Sequence, residues 1–200
     1  MIQVPLRNAR ELKQIFHLTT LDNMPSIIQN GLMPRQLIRS RGKEFCDIAD
    51  QGIIEERNSI ELNSYIPFHF HPYSSFDIAV KASHPETQFV YIALKREFAR
   101  YSGFKVISAH PLSDEKPELL DYDEGFAQID WDAISQGNED RRATKQARMA
   151  ECLTDRIIPA ALFQNVYVHD EQTKKHIECL FEQNGITDQP PYVNIMPQWV

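Results

Sequence analysis

The 200-residue chain carries 21 Lys and Arg residues against 28 Asp and Glu residues, a formal net charge of −7. Hydrophobic residues make up 42% and charged residues 24%, the balance of an ordinary globular protein. The three cysteines are scattered and never form CxxC, which argues against a disulfide framework and a cysteine-built zinc site. Without a long apolar run or a signal-peptide core, the sequence predicts a cytoplasmic protein with no membrane partner. Its length predicts one domain over residues 1–200.

The first predicted element is a strand over Ile15–Thr19, followed by a tight turn and a helix. Asp22 or Asn23 can cap this helix, and Pro25 fits its first turn. Gly31 can end it, because glycine readily adopts the backbone conformation at a helix C-terminus.

The middle of the chain predicts a helix over Cys46–Glu56 and an aromatic-rich strand over Tyr65–His71. Within that strand, Pro67 is typical of a sheet edge or a strand start. Ser74 or Ser75 can cap a short helix that follows.

The remaining predicted elements are short, and residues 109–138 look mostly irregular. Many short strands with few helices between them predict an α+β fold. The predicted strands lie at Phe89–Leu94, Lys105–Ser108, Met149–Thr154, Val166–Val168 and Tyr192–Ile195, and the helical segments at Ile129–Ile134, Asp140–Ala150 and Glu171–Gln183.

Two local clusters of positive charge stand out against the acidic total. Arg35–Lys43 and Arg141–Arg148 each contain four cations and no acid. Either cluster can be a solvated face, or it can contact the phosphates of a nucleic acid.

Common catalytic and nucleotide-binding motifs are missing: the sequence has no GxxxxGK[ST], GxGxxG, GxSxG or HExxH. His69 and His71 alternate and could share a metal, but no neighbouring acid or cysteine completes a ligand set, so we expect no metal site. Glu151 opens an apolar strand, where it is either a solvated edge residue or a functional carboxylate. His17 and Thr19 share one face of their strand and offer a polar pair to a small ligand.

Four segments, in this order, resemble the DarT family of DNA ADP-ribosyltransferase toxins. His17–Leu32 is similar to the opening of these proteins, and Tyr65–Phe70 to their aromatic strand. Ile129–Ile134 resembles their acidic-tryptophan turn, and Ala150–Leu153 the segment that holds their catalytic glutamate.

The resemblance implies an ADP-ribosyltransferase-like split β-sheet with flanking helices and NAD as a substrate. By the same resemblance, Glu151 and Arg57 are the catalytic residues. The NAD-binding residues that it implies are His17, Thr19, Asn23, Arg39 and Arg41, with the segment 39–57 closing over the dinucleotide.

The implied acceptor is a base of single-stranded DNA. The basic helix before Glu151 would guide the DNA, and aromatic side chains would stack on bases. The run His71–Asp77 departs from that of thymine-modifying members, and Ile107–His110 only faintly echoes another of their motifs; these departures favour guanine, with thymine left open. The predicted DNA-binding residues are Arg141, Arg142, Lys145, Arg148, Tyr73 and His110.

The resemblance also implies a toxin with an antitoxin partner, an ADP-ribosyl hydrolase of macrodomain or related type. Two alternatives remain open from the sequence. One is an ADP-ribosyltransferase that acts on RNA or protein, and the other is a non-catalytic module that binds nucleic acid or NAD.

Overall fold

The computed structural model describes residues 9–49, 54–55, 57–58, 61–110, 118–135 and 142–200, and builds them around one mixed β-sheet. The strands are β1 (Gln14–Thr20), β2 (Ile66–His69), β3 (Phe89–Lys95), β4 (Lys105–Ile107), β5 (Leu120–Asp121), β6 (Glu151–Thr154), β7 (Asn165–Val168) and β8 (Tyr192–Ile195). The α-helices are α1 (Met24–Asn30), α2 (Arg35–Ser40), α3 (Ser75–Ser83), α4 (Arg96–Tyr101), α5 (Tyr122–Gln128), α6 (Trp131–Ser135), α7 (Arg142–Ala147) and α8 (Glu171–Gln183).

The sheet is split at its centre. Its strand order in the described residues is β5-β4-β6-β2-β1-β3-β7-β8, and only β7 and β8 pair in parallel. β1 pairs with β3 from Gln14 to Thr20, and β2 pairs with β6 along its whole length. In contrast, β1 and β2 pair only where Phe16 lies opposite His69. Beyond this position the two strands separate, which confirms the predicted α+β class with a split sheet.

Pro67 is the second residue of β2, which agrees with the predicted strand start, but β2 is an interior strand and not a sheet edge. The split explains how a proline is tolerated there. The carbonyl of Pro67 accepts a hydrogen bond of 2.8 Å from Nδ1 of His17 on β1. In an antiparallel strand the N–H and C=O of one residue point to the same neighbour, so the N–H that proline lacks would point into the split. No ladder hydrogen bond is lost.

Both faces of the central strand β3 are covered, which explains its uninterrupted apolar sequence. Val90, Ile92 and Leu94 belong to the main hydrophobic core. Phe89 and Tyr91 point the other way, into a second apolar cluster. This second cluster also contains Phe16, Leu18, Val80 and Ala93.

Several local predictions are confirmed, and others are not. Ser74 caps α3 in a reciprocal capping box with Asp77, and α8 and β8 have the predicted bounds. Asn23 precedes α1, but its side chain does not cap the helix. Of the helix predicted over Cys46–Glu56, residues 46–49 are not helical, whereas Ile54 and Glu55 are; the rest of that range lies outside the described residues. Helices α2, α4 and α5 were not predicted from the sequence. No helix in the described ranges is long and apolar enough to cross a membrane.

Candidate active site

A cavity opens where β1 and β2 separate. Strand β1 contributes His17 and Thr19 to its wall, and β2 contributes His69. Glu151, the first residue of β6, and Arg57 also line it. The split therefore brings together side chains that lie far apart in the sequence.

Arg57 and Glu151 form a buried ion pair in this cavity. Nη1 of Arg57 donates to both carboxylate oxygens of Glu151, at 2.7 Å and 3.0 Å. The two side chains are only 9% and 4% exposed. Nη2 of Arg57 is buried and has no hydrogen-bond partner in the described part of the chain. The pair therefore presents a spare charged donor beside a carboxylate, as a site for an anionic or carbonyl-bearing ligand requires.

His17 is a neutral hydrogen-bond acceptor on the cavity wall. Its Nδ1 must carry the proton, because the Pro67 carbonyl that it contacts can only accept. Burial is the main cause that lowers the pKa of His17 to about 4, so the ring is uncharged at neutral pH. Its Nε2 is then a lone-pair acceptor. Thr19, two residues along β1, accepts a 3.1 Å hydrogen bond from Nδ2 of Asn23.

The side chain of Asn23 holds the segment 43–49 at the cavity through hydrogen bonds to Cys46. This side chain donates to the Cys46 carbonyl at 2.9 Å and accepts from the Cys46 N–H at 2.8 Å. Next in the segment, Asp47 forms a 2.8 Å ion pair with Arg35 on α2. These contacts hold residues 46–49 in an irregular, non-helical conformation, which explains why the predicted helix does not form there.

The opposite wall is built from aromatic and sulfur-containing side chains. The rings of His69 and Phe76 pack with their centres 6.3 Å apart. The Phe76 N–H contacts the sulfur of Met149 at 3.2 Å. Met149, His110 and Glu151 complete this side of the cavity. Its mixture of flat and polarizable groups suits a planar, polar heterocycle.

Comparisons with known proteins show the family of the chain. The sequence model of the family DarT, described as ssDNA thymidine ADP-ribosyltransferase, matches residues 16–200. The chain belongs to the DarT family. A comparison with curated protein sequences found no match.

Solved DarT structures share the fold. Thermus sp. 2.9 DarT in complex with ADP-ribosylated ssDNA superposes with a TM-score of 0.80 at 23% identity, over 94% of this chain and 95% of that one. The same protein in complex with NAD+ gives 0.75 at 20% identity, over 94% and 98%. Thermosipho africanus DarTG in complex with ADP-ribose gives 0.71 at 18% identity, over 94% of this chain and 51% of that one. DarT membership confirms the predicted enzyme class, an NAD-dependent DNA ADP-ribosyltransferase.

The structure places the predicted NAD-binding residues unequally around the DarT cavity. His17, Thr19 and Asn23 line it, whereas Arg39 and Arg41 do not. Arg39 is exposed, with Nη2 3.5 Å from Asp47, and Arg41 contacts the sulfur of Met33. The arginine of α2 that does line the cavity is Arg35, which sequence reasoning missed. The sequence marked Arg35 only as the first cation of the cluster Arg35–Lys43, which did not distinguish it from Arg39 and Arg41.

The predicted DNA-binding residues also lie in different places in the structure. His110 lines the cavity, while the Tyr73 ring lies 5.2 Å from Nζ of Lys81. Arg142 and Lys145 are exposed on α7. Arg148 is 7% exposed, so its side chain does not share the solvent-facing surface of Lys145. Arg141 lies outside the described residues.

The two histidines considered for a metal sit in different surroundings. His69 lines the cavity. His71 is buried and does not line it, and Nδ1 of His71 lies 2.9 Å from the Pro72 carbonyl oxygen. Among the residues that the structure describes, no group of three or more metal-ligating side chains is assembled.

Proposed function

We propose that this enzyme transfers ADP-ribose from NAD to thymine in single-stranded DNA. The observation that carries the proposal is the buried Arg57–Glu151 pair, with its unpartnered Nη2, in the cavity of the split sheet. Membership in a family described as ssDNA thymidine ADP-ribosyltransferase supports the acceptor. Thermus DarT structures in complex with NAD+ and with ADP-ribosylated ssDNA support the same pair of substrates.

Glu151 is the residue that stabilises the reacting ribose. Cleavage of the bond to nicotinamide develops positive charge on the ribose carbon and ring oxygen. A fixed carboxylate that accepts a hydrogen bond from the ribose 2′-hydroxyl stabilises this charge, because it is preorganised in a water-poor site. Glu151 is held in this way by β6, where Cys152 and Leu153 behind it are fully buried.

Arg57 has the geometry to bind a second substrate group while it holds Glu151. One of its terminal nitrogens is bound to the carboxylate and the other has no partner among the described residues. A guanidinium keeps its charge and directs its donors in a fixed plane. The free donor can therefore hold a pyrophosphate oxygen of NAD or a carbonyl oxygen of the acceptor base.

The acceptor is tested by mass spectrometry of oligonucleotides after incubation with NAD. Four single-stranded oligonucleotides, each with one variable base in an otherwise fixed sequence, separate the acceptors. We expect one ADP-ribose on the thymine-containing oligonucleotide. Transfer to guanine instead, which the segment His71–Asp77 favoured from the sequence, would contradict the thymine assignment. Transfer only to RNA or protein in parallel reactions would contradict a DNA substrate.

We propose that α7 guides the DNA strand through its two exposed cations. Arg142 and Lys145 are three residues apart, so they lie on neighbouring positions of the helix surface. The helix leads directly to Glu151. Removal of one cation that binds a phosphate should reduce the slope of log affinity against log salt by about 0.7 for single-stranded DNA.

The charge reversals Arg142→Glu and Lys145→Glu should therefore each weaken oligonucleotide binding and flatten its salt dependence, with NAD affinity unchanged. The measurement is a salt titration of oligonucleotide binding, with NAD binding in parallel. Lys175→Glu, on the exposed surface of α8, is the control with the same charge change. An unchanged slope in both α7 variants would show that DNA takes another path.

We further propose that the enzyme acts in the cytoplasm as a toxin, neutralised by a partner that removes ADP-ribose from DNA. A modified base blocks the copying of the strand that carries it. The similarity to Thermosipho africanus DarTG, whose chain is about twice as long, supports such a partnership. The partner's chemistry predicts a hydrolase of macrodomain or related type.

Expression in a bacterium that lacks the partner should stop growth. The Glu151→Gln variant, expressed to the same level, is the matched control and should be tolerated. Colony counts after induction measure the difference. Equal growth of both cultures, with the unmutated protein present at full length, would contradict a toxin role.

A further inference from the structure

His69 is the nearest neighbour of Glu151 on the adjoining strand. Their Cα atoms pair in the antiparallel ladder between β2 and β6. Paired residues project their side chains to the same face of the sheet, with Cβ atoms about 4.5–5.5 Å apart. Both side chains line the cavity, and the two residues are 6% and 3% exposed. An imidazole is therefore fixed directly beside the proposed reaction centre.

The hydrogen bonds of His69 decide which of its nitrogens faces a substrate. Nδ1 lies 3.3 Å from the carbonyl oxygen of Ala150, which can only accept, so Nδ1 carries the proton. Nε2 is then a lone-pair nitrogen. The contact with Ala150 uses only Nδ1, so it leaves the Nε2 lone pair available. Packing of Phe76 against the ring restricts its orientation.

We propose that His69 is the general base that removes the ring N–H proton of the acceptor base. This inference rests on the proposed function. The proton moves from the ring nitrogen of the base to Nε2 of His69. The freed electron pair on that ring nitrogen forms the bond to the anomeric carbon of the ribose. The bond from this carbon to nicotinamide breaks, its electron pair stays on the nicotinamide nitrogen, and neutral nicotinamide leaves. The imidazolium then returns its proton to solvent.

Glu151, Arg57 and His17 are less suited to accept this proton. Glu151 is bound to Arg57 through both oxygens and, in the proposed function, also holds the ribose 2′-hydroxyl, and a guanidinium has no lone pair to offer. Burial lowers the pKa of His17 to about 4, which makes it a weak base. His69 combines a lone pair that its bond to Ala150 does not use with a position beside Glu151.

The position and protonation of His69 also limit which nucleobases can be the acceptor. Thymine and guanine carry a ring N–H next to a carbonyl, whereas the ring nitrogens of adenine and cytosine that are free in single strands carry no proton. The lone pair on Nε2 can accept a hydrogen bond from the ring N–H of thymine or guanine. Adenine and cytosine have no such ring N–H to donate to it.

Several titratable and charged groups surround the imidazole, and they set the conditions for a pH test. Two histidines interact electrostatically with it, one on β1 and one beyond the end of its own strand. Two arginines, a lysine, four carboxylates and a third histidine line the same cavity. These groups are His17, His71, Arg35, Arg57, Lys43, Glu44, Asp47, Asp77, Glu151 and His110.

The test is the pH dependence of single-turnover transfer to a thymine oligonucleotide for the unmutated enzyme and His69→Asn. The asparagine amide keeps a donor for the Ala150 carbonyl and removes only the basic nitrogen. We expect the unmutated rate to fall at acid pH, where an imidazole is protonated. The variant should be slower by about 10²-fold or more at neutral pH and should lose this acid limb.

His71→Asn is the matched control, because His71 also donates from Nδ1 to a main-chain carbonyl and leaves Nε2 unpartnered, but it does not line the cavity. It should keep both the rate and the acid limb. Thermal melting of each variant separates a catalytic loss from a folding defect.

A second substrate separates base catalysis from a role in positioning. An oligonucleotide with 5-fluorouracil in place of thymine offers a more acidic ring N–H, so its transfer depends less on a general base. His69→Asn should therefore be impaired less on this substrate than on thymine. Equal loss on both substrates, or an acid limb that persists in His69→Asn and disappears in His110→Asn, would overturn the proposal. Failure of the unmutated enzyme to modify either oligonucleotide would refute the proposed function instead.

Discussion

Glu151→Gln should lower ADP-ribose transfer to an oligonucleotide by about two orders of magnitude or more, with the fold intact. Glutamine keeps the shape of the side chain and an acceptor for Arg57, but it has no negative charge to stabilise the developing cation on the ribose. Single-turnover reactions followed by mass spectrometry measure the rate, and circular dichroism reports the fold.

Glu151→Ala should also abolish transfer, but with a loss of stability. Removing the carboxylate leaves the buried guanidinium of Arg57 without its partner, and breaking a buried ion pair in this way costs about 3 kcal/mol or more. Asp155→Asn, at the exposed position after β6, is the control for removing an acid nearby. A folded Glu151→Gln enzyme with near-normal transfer would remove this residue from the mechanism.

Arg96→Leu should reduce the free energy of unfolding by about 3–5 kcal/mol, since it leaves buried carbonyl groups without donors. Arg96, the first residue of α4, is 7% exposed. Its guanidinium lies over the rings of Phe70, Phe126 and Trp131. It donates to four main-chain carbonyls, those of Ala9, Arg10, Gln14 and Phe70. Burial lowers the pKa of Arg96 to about 10, so it remains charged at neutral pH.

Urea denaturation of Arg96→Leu and of Arg100→Leu provides the comparison. Arg100 lies one turn along α4 and pairs with Asp123 at the surface, where an ion pair contributes little to stability. Similar unfolding midpoints for the two variants would show that the carbonyl cluster around Arg96 is not a main support of the fold.

The sequence could predict elements whose signals are local. The segment Glu171–Gln183 was predicted as a helix and forms α8, and Ser74, a candidate cap, starts α3, so both helices were found. The helix α5 was missed because its interior contains Gly125, a residue that usually weakens helices. A Cβ atom there would lie 2.6 Å from Cβ of Val106 on β4, so packing against the sheet requires glycine.

The site could be predicted only as a set of residues. Resemblance to the DarT family indicated Glu151 and Arg57, but no local pattern indicates that residues 94 positions apart share one ion pair. Arg96 was missed for a related reason. In its run of charged residues it looks like a surface cation, and only the tertiary structure encloses it in carbonyl groups.

The split sheet builds the proposed reaction site from two ladders that are paired separately. Strand β1, with His17 and Thr19, takes its register from β3, whereas β2 and β6 set each other's register and carry His69 and Glu151. One residue pair, Phe16 with His69, joins the two ladders in the described sheet. Side chains on β2 and in the segment after it can therefore be exchanged without shifting the register of β1. Under the proposed function, such exchanges would alter the wall around His69 while His17 and Thr19 keep their positions.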